Sequence, residues 1–245
     1  RYFIGNWKMF GVPKSINILN KINSFYSKEK NRNKYRVIIT PPYTLIENFA
    51  KRFKNKKILI GAQNCYQKDH FSSNTAAVSP FMIKSVGAKY IIVGHSDNRS
   101  EGDTNDMLKN KVQFALKNKL KVVFCIGENK IDKKNKKTFT VLKNQITKVL
   151  EKKFDKNNLI VAYEPIWSIG TGKIPTKSEL EKTTVHIKKI LKNIFKKSPA
   201  VLYGGSVDEK NVRMFKEIKE IDGFLIGGAS KSSKKFIDII KNYYR

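Results

Sequence analysis

The stretch Val161-Ala162-Tyr163-Glu164-Pro165-Ile166-Trp167-Ser168-Ile169-Gly170-Thr171-Gly172-Lys173 decides how this chain is read. It begins as a short apolar run, fit for a buried strand. A lone carboxylate, Glu164, follows at the strand end. Pro165 then fixes its own φ and biases Glu164 away from helical geometry. A short apolar segment and Gly-Thr-Gly-Lys come next. An apolar tip between a proline and a pair of glycines describes a lid with a rigid body and two firm ends. Such lids exclude water and strengthen the electrostatics beneath them. Read alone, the same residues also describe a surface loop with a salt-bridged glutamate.

Working outward, short apolar runs recur along the chain. They are Tyr2 to Asn6, Val37 to Ile39, Ile58 to Asn64, Tyr90 to His95, Val122 to Ile126, Leu159 to Tyr163, Ala200 to Tyr203 and Gly223 to Ile226. Helical patterns alternate with them. Pro13 opens one to about Tyr26, with Ile16, Leu19, Ile22 and Phe25 on one stripe. Thr44 is read as the cap of the next, to about Phe53. Pro80 begins a short one, and another reaches Lys117 with Met107, Leu108, Val112, Ala115 and Leu116 inward. Further patterns cover Thr138 to Phe154 and Ser178 to Phe195, the latter with Ser178 and Glu181 as a capping box. The last two run from Glu209 to Glu220 and on to Tyr243. Eight strands with intervening helices in 245 residues give the (β/α)8 count, an α/β TIM barrel of eight parallel strands, as one domain over residues 1–245. A doubly wound sheet is the alternative, and it would leave two open edges.

Composition narrows the function classes. With 40% hydrophobic residues there is ample material for a core. No run has the apolar length of a membrane span, and the first residues do not read as a signal peptide. The chain opens at Arg1 on an apolar strand, so an initiator residue or a longer leader is expected to precede it. Cys65 and Cys125 fall in or beside apolar strands, which points to buried thiols in a reducing compartment. The net charge of +30 would suit nucleic acid or an anionic surface. Yet the lysines are dispersed and accompanied by asparagine, as at 31–34, 55–57 and 129–137. That is the signature of an AT-rich genome laid over a fold, so no specific nucleic-acid partner is expected, and no membrane.

In a closed barrel the reactive groups come from the carboxyl ends of strands. Those ends supply Asn6 and Lys8, His95, Glu164, Gly204 to Ser206, and Gly227 with Gly228. Glycine pairs after the seventh and eighth strands let backbone N–H groups approach an anion, where barrels often bind phosphate. Glu164 is the side chain suited to general base. His95 is one of three histidines, and a strand-end histidine is also a common satisfied core group. His70 and His186 have no convergent spacing with it, so no metal site is expected. Lys8 after Trp7 reads as a fixed cation over the mouth, for a phosphate or a developing oxyanion. One base, one imidazole, one cation and a phosphate nest suit proton transfer beside a carbonyl. They call for neither metal nor nucleotide, and no cofactor is expected. An aldolase would need a Schiff-base lysine or a metal, and a scaffold would not need this set.

A resemblance now becomes specific. Gly5 to Met9, Ala62-Gln63-Asn64, Gly94-His95-Ser96, Cys125 to Glu128, Tyr163 to Lys173, Tyr203 to Val207 and Asp222 to Ser230 resemble triosephosphate isomerase, in family order from end to end. The resemblance implies isomerisation of D-glyceraldehyde 3-phosphate and dihydroxyacetone phosphate through an enediolate, and a place in glycolysis and gluconeogenesis. It implies Glu164 as the proton shuttle and a neutral His95 that polarises the carbonyl. Lys8 and Asn6 would hold substrate and enediolate. Gly170, Ser206, Gly227 and Gly228 would hold the phosphate. Glu128 resembles a buried acid behind the site, and Cys125 a thiol on the fifth strand. The family's Glu, neutral His and closing lid are themselves a standard worked case of tuned acid–base chemistry.

The departures from the family pattern concern one region. Phe10 stands where an asparagine is usual. Ser96-Asp97-Asn98-Arg99 replaces Ser-Glu-Arg-Arg, and the shorter Asp97 is expected to hold Lys8 more loosely. The loop after Arg99 reads one residue shorter, with Asp103 where a Glu is usual. Thr75-Ala76-Ala77 replaces Thr-Gly-Glu, so both ends of an intersubunit ion pair are missing together. Thr75 of the partner subunit still matches the residue that reaches the neighbouring site. The expectation is a homodimer held by packing, weakened and salt-dependent through its positive charge. Phe10 either adds apolar area to that interface or is a bare surface ring. Cytoplasm is the implied compartment, with a plastid such as the apicoplast as the alternative.

Overall fold

The computed structural model describes residues 1–245. The strands are β1 (Tyr2–Asn6), β2 (Arg36–Thr40), β3 (Ile58–Ala62), β4 (Tyr90–Val93), β5 (Lys121–Ile126), β6 (Leu159–Tyr163), β7 (Ala200–Tyr203) and β8 (Gly223–Ile226). They form a closed barrel in sequence order, every pair parallel. Closure is made by β1 on β8, with Phe3 opposite Phe224 and Gly5 opposite Ile226. No open edge remains, which removes the doubly wound alternative.

Alternation along each strand divides the buried side chains. Ile4, Ile38, Tyr90, Ile92, Val123, Cys125, Ile160, Ala162, Leu202 and Leu225 form one cluster of ten, the residues one step out of phase with the other. Phe3, Val37, Ile60, Ile91, Phe124, Val161, Val201 and Phe224 belong to a cluster of 53 that also takes in the helices. The layer between barrel and helices is therefore the main core. Its helices are α1 (Ile16–Lys28), α2 (Tyr43–Arg52), α3 (Pro80–Ser85), α4 (Ser96–Ser100), α5 (Asn105–Lys117), α6 (Lys130–Lys134), α7 (Thr138–Val149), α8 (Lys177–Phe195) and α9 (Ser233–Tyr244). None is long and apolar enough to cross a membrane.

Several local expectations are corrected. Pro13–Ser15 is a 3-10 turn, and α1 follows it. Thr44 does not cap α2: the helix starts at Tyr43 directly after Pro42, which has no side chain able to cap. The capping box of α8 is Thr176 with Glu179, not Ser178 with Glu181. The Glu179 carboxylate accepts from Thr176 N at 2.8 Å, and Glu179 N donates back to Thr176 Oγ1 at 3.2 Å. The expected helix from Glu209 to Glu220 is a 3-10 segment, Val212–Glu217. Its start is consumed by side chains. Asp208 Oδ1 accepts from the backbone of Lys210 and Asn211, and Asn211 Oδ1 accepts from Asp208 N. Such local bonds give the backbone an alternative to helix. β3 and β4 end earlier than expected, at Ala62 and Val93.

Candidate active site

The register of three neighbouring strands sets the base. Ile126, Tyr163 and Tyr203 lie side by side in β5, β6 and β7. The next residues are therefore neighbours too: Gly127, Glu164 and Gly204. Glu164 N donates to Ile126 O at 2.7 Å, and Gly204 N donates to Tyr163 O at 2.8 Å. A Cβ on Gly127 would lie 1.8 Å from Glu164 O, and one on Gly204 would lie 2.5 Å from Glu164 Cγ. Both flanking positions must lack a side chain for the carboxylate to sit where it does. Gln145 locks Gly127 from outside, accepting from its N at 2.9 Å and donating to its O at 3.0 Å.

Glu164 is 4% exposed. Burial pushes its carboxyl above the ordinary glutamate range, offset by His95, the Cys125 thiol and Lys8. Oε2 is buried without a hydrogen-bond partner. A desolvated, incompletely solvated carboxylate is a stronger base than an exposed one. Burial, with the adjacent Glu164, pushes the Cys125 thiol well above its usual value, so it stays protonated beside the carboxylate.

His95 follows Gly94 after β4 and caps the N-terminus of α4. Asp97 N donates to His95 Nδ1 at 3.1 Å. With Nδ1 accepting, the ring carries its proton on Nε2. That nitrogen stands 3.6 Å from Glu164 Oε1, too far for a hydrogen bond between them. Both side chains line the same cavity without bonding each other.

Lys8 has a left-handed backbone, φ 54°. Such a conformation costs energy in a residue with a Cβ and needs support from its surroundings. Asn6 Oδ1 accepts from Lys8 N at 3.1 Å, and Gln63 Nε2 donates to Lys8 O at 2.8 Å and to Thr40 O at 2.9 Å. Lys8 Nζ lies 3.1 Å from Asp97 Oδ2. The shorter Asp97 thus still reaches Lys8, both side chains being partly exposed.

The lid is a 3-10 turn, Ile166–Ser168, followed by a glycine-rich return. Trp167 Nε1 donates to Glu128 Oε1 at 2.8 Å, beside the Tyr163 hydroxyl at 3.2 Å. Across the cavity, Gly172 N donates to Ser206 Oγ at 3.1 Å, and Ser206 Oγ donates to Ser168 O at 2.6 Å. Ser168 Oγ lies 3.1 Å from the Tyr203 hydroxyl. The lid is fastened on both flanks, and the surface-loop reading of this stretch is set aside.

One cavity of about 610 Å3 brings together Asn6, Lys8, His95, Glu164, Gly170, Ser206, Gly227 and Gly228. Lys210 and Lys235 line it as well. Asp97 lines an adjoining cavity of about 270 Å3 with Met9, Tyr43, Gln63 and Asn98. Glu128 and Cys125 are buried behind the site. Thr75 is not brought in: it sits on an exposed loop tip next to Ala76, whose φ is 63°. Phe10 is not a bare ring. It packs edge-on against Trp7 with centroids 5.5 Å apart. No group of three or more His, Cys, Asp or Glu side chains converges in a way that could hold a metal.

Several functional residues escaped sequence reasoning. Gln63 and Gln145 act through amides bonded to backbone atoms far away in sequence. Arg99 donates to Gly94 O at 2.8 Å and Cys125 O at 3.1 Å, tying the His95 loop to β5. Lys111 is buried on Asp103 and Asn64. A lysine amid the apolar positions of α5 was the signal for that pair.

A closed parallel barrel with a buried Glu–His pair, a fixed lysine and a glycine-lined end defines an intramolecular oxidoreductase, an aldose–ketose isomerase. Comparison with known proteins agrees. The family model for triosephosphate isomerase matches residues 1–243. Triosephosphate isomerase of Saccharomyces cerevisiae is 37% identical over 248 residues, with 98% of each chain covered. That of Thermodesulfovibrio yellowstonii is 34% identical over 245 residues, again 98% of each. A solved structure of triosephosphate isomerase from Bartonella henselae superposes with TM-score 0.91 at 30% identity, over 100% of this chain and 99% of the other. The chain belongs to the triosephosphate isomerase family.

Proposed function

We propose that this chain interconverts D-glyceraldehyde 3-phosphate and dihydroxyacetone phosphate, with Glu164 as the single base. The observation that carries the reading is a buried Glu164 whose Oε1 lies 3.6 Å from Nε2 of a His95 with an accepting Nδ1, and whose Oε2 is unpaired. Glu164 removes the proton from C2 of the aldehyde and returns it to C1, giving the ketone. His95 donates its Nε2 proton to O1 and takes the proton of O2, so the ring ends neutral. Lys8 and the Asn6 amide face the negative charge that develops on the enediolate oxygens. The phosphate end is assigned to backbone N–H groups at Gly170, Gly227 and Gly228 and to Ser206. Asp97 is assigned the support of Lys8, Glu128 the fastening of the lid, and Cys125 a neutral donor to Glu164. No cofactor has a role in this scheme.

The proposed assembly is a homodimer, with residues 1–245 of each copy acting as one domain. Met9, which lines the small cavity, is 98% exposed, which supports an apolar contact face there. Thr75 of the partner subunit would enter that cavity. The proposed compartment is the cytoplasm, with a plastid such as the apicoplast as the alternative; free, buried Cys65 and Cys125 suit a reducing interior. The test follows isomerisation of glyceraldehyde 3-phosphate across protein dilution at two salt concentrations. The expected rate per subunit falls with dilution, and falls sooner at low salt, where repulsion between the positive copies is strongest. Absence of turnover at every concentration would overturn the assignment.

A further inference from the structure

The lid is clasped by a residue outside the reaction. Lys133 is in α6, a helix that sequence reading did not anticipate. Its Nζ lies 3.6 Å from the centroid of the Trp167 ring. The same nitrogen lies 3.3 Å from Glu179 Oε1. Trp167 is the body of the lid. Glu179 closes the capping box that starts α8, where the lid's far end is anchored at Thr176. One ammonium therefore touches both the body of the lid and the capping box at its C-terminal end.

The charges on the two sides of Trp167 are complementary. Glu128 Oε1 takes the indole N–H in the ring plane, while Lys133 meets the π face. An indole offers a positive edge and a negative face, so each partner meets the part of the ring that attracts it. The Glu128 carboxylate is 1% exposed, and its second oxygen is buried without a partner. The Lys133 stem is about one-third exposed, and its only other partner is Glu179.

We propose that Lys133 is a positioning residue for catalysis: it holds Trp167 in the clasped lid and so maintains the closed site over Glu164. This rests on the isomerase reading above. Lys133 touches no substrate. Its effect is on the fraction of molecules whose lid is clasped. Loss of part of that fraction scales the apparent affinity and leaves the chemical step in clasped molecules unaltered.

The variants are Lys133→Met, which keeps the apolar stem, and Lys133→Arg, which keeps the cation and stacks on the indole. Lys133→Met is expected to raise KM for glyceraldehyde 3-phosphate about fivefold, with kcat changed less than about twofold. Lys133→Arg is expected to restore KM. A second readout does not need turnover. The chain has two tryptophans, and Trp7 is fully buried, so acrylamide-quenchable emission reports Trp167. In saturating glycerol 3-phosphate, quenching is expected to rise in Lys133→Met and return to the wild-type value in Lys133→Arg. Unchanged KM and unchanged quenching in a folded Lys133→Met protein would overturn the proposal. So would equal losses in Met and Arg variants. A wild-type protein without isomerase activity would overturn the isomerase reading, while the quenching difference would still decide the clasp.

Discussion

The two mouths of the barrel use their carboxylates in opposite ways: Glu164 is buried, while Asp222 is about one-third exposed. At the carboxyl mouth, Glu164 keeps Oε2 unpaired, and His95 Nε2 stops 3.6 Å short of the other oxygen, Oε1. At the amino mouth, Asp222 is fully engaged. It accepts from Val201 N at 2.9 Å, pairs with Lys188 at 3.0 Å and lies 3.8 Å from Arg1. The cavity there, lined by Arg1, Lys188 and Asp222, is about 710 Å3, larger than the 610 Å3 at the other end. Size does not separate the two. The difference lies in whether the carboxylate's bonding capacity is spent on the fold or left for a ligand. One mouth stabilises the closed sheet, and the other holds a group that the fold would be more stable without.

That contrast is broken most directly at Glu164. Glu164→Gln is expected to lower kcat roughly 10^3-fold while raising the melting temperature. The sign follows from its raised carboxyl. A group whose native pKa exceeds its unfolded value favours the native state when protonated. That contribution is present below the unfolded value and is lost as pH rises through the native one. Neutral Gln should therefore stabilise most at neutral and alkaline pH, and the gain should vanish in acid. The wild-type acid limb of kcat/KM should lie above the ordinary glutamate range.

A smaller effect is expected one strand away. Gly204→Ala would put a methyl 2.5 Å from Glu164 Cγ. Displacing the base by a fraction of an ångström should lower kcat about tenfold or more. Glu164→Asp in the Gly204→Ala background should lose less than the two single losses combined, because the shorter side chain no longer meets the methyl.

The smallest catalytic effect belongs to the amino mouth. Asp222→Ala removes an acceptor from Val201 N and leaves Lys188 and Arg1 without their carboxylate. A loss of about 1–2 kcal/mol in denaturant unfolding is expected, with kcat unchanged. A fall in kcat comparable to that of Gly204→Ala would erase the division between the two ends.

Much of this arrangement was legible in the chain itself, for a physical reason. Parallel strands covered on both faces read as continuous apolar runs, so β6 and β7 needed no alternation to be found. Asn6, His95 and Glu164 stand at or just beyond the ends of such runs, and topology gathers strand ends at one mouth. What failed was local choice between equal patterns. Thr176 with Glu179 and Ser178 with Glu181 both fit the capping-box spacing, and only the folded chain uses the first. The 209–220 helix failed because Asp208 and Asn211 bond backbone groups that a helix would use. The supports of the site were hidden by distance in sequence. Gln63 reaches Lys8 O from 55 residues away, and Lys133 meets Trp167 only because α6 folds against the lid. Their residue types carry no signature without that geometry.

The central claim is that one carboxylate, Glu164, moves a proton between two adjacent carbons. Isomerisation of glyceraldehyde 3-phosphate in deuterium oxide, followed by NMR of the product carbons, tests it most directly. Wild-type protein should place deuterium stereospecifically at C1 of dihydroxyacetone phosphate, and Glu164→Gln should lose both deuterium incorporation and turnover. A Glu164→Gln protein that still incorporated deuterium at the wild-type rate would contradict the account, since another base would then be carrying the proton.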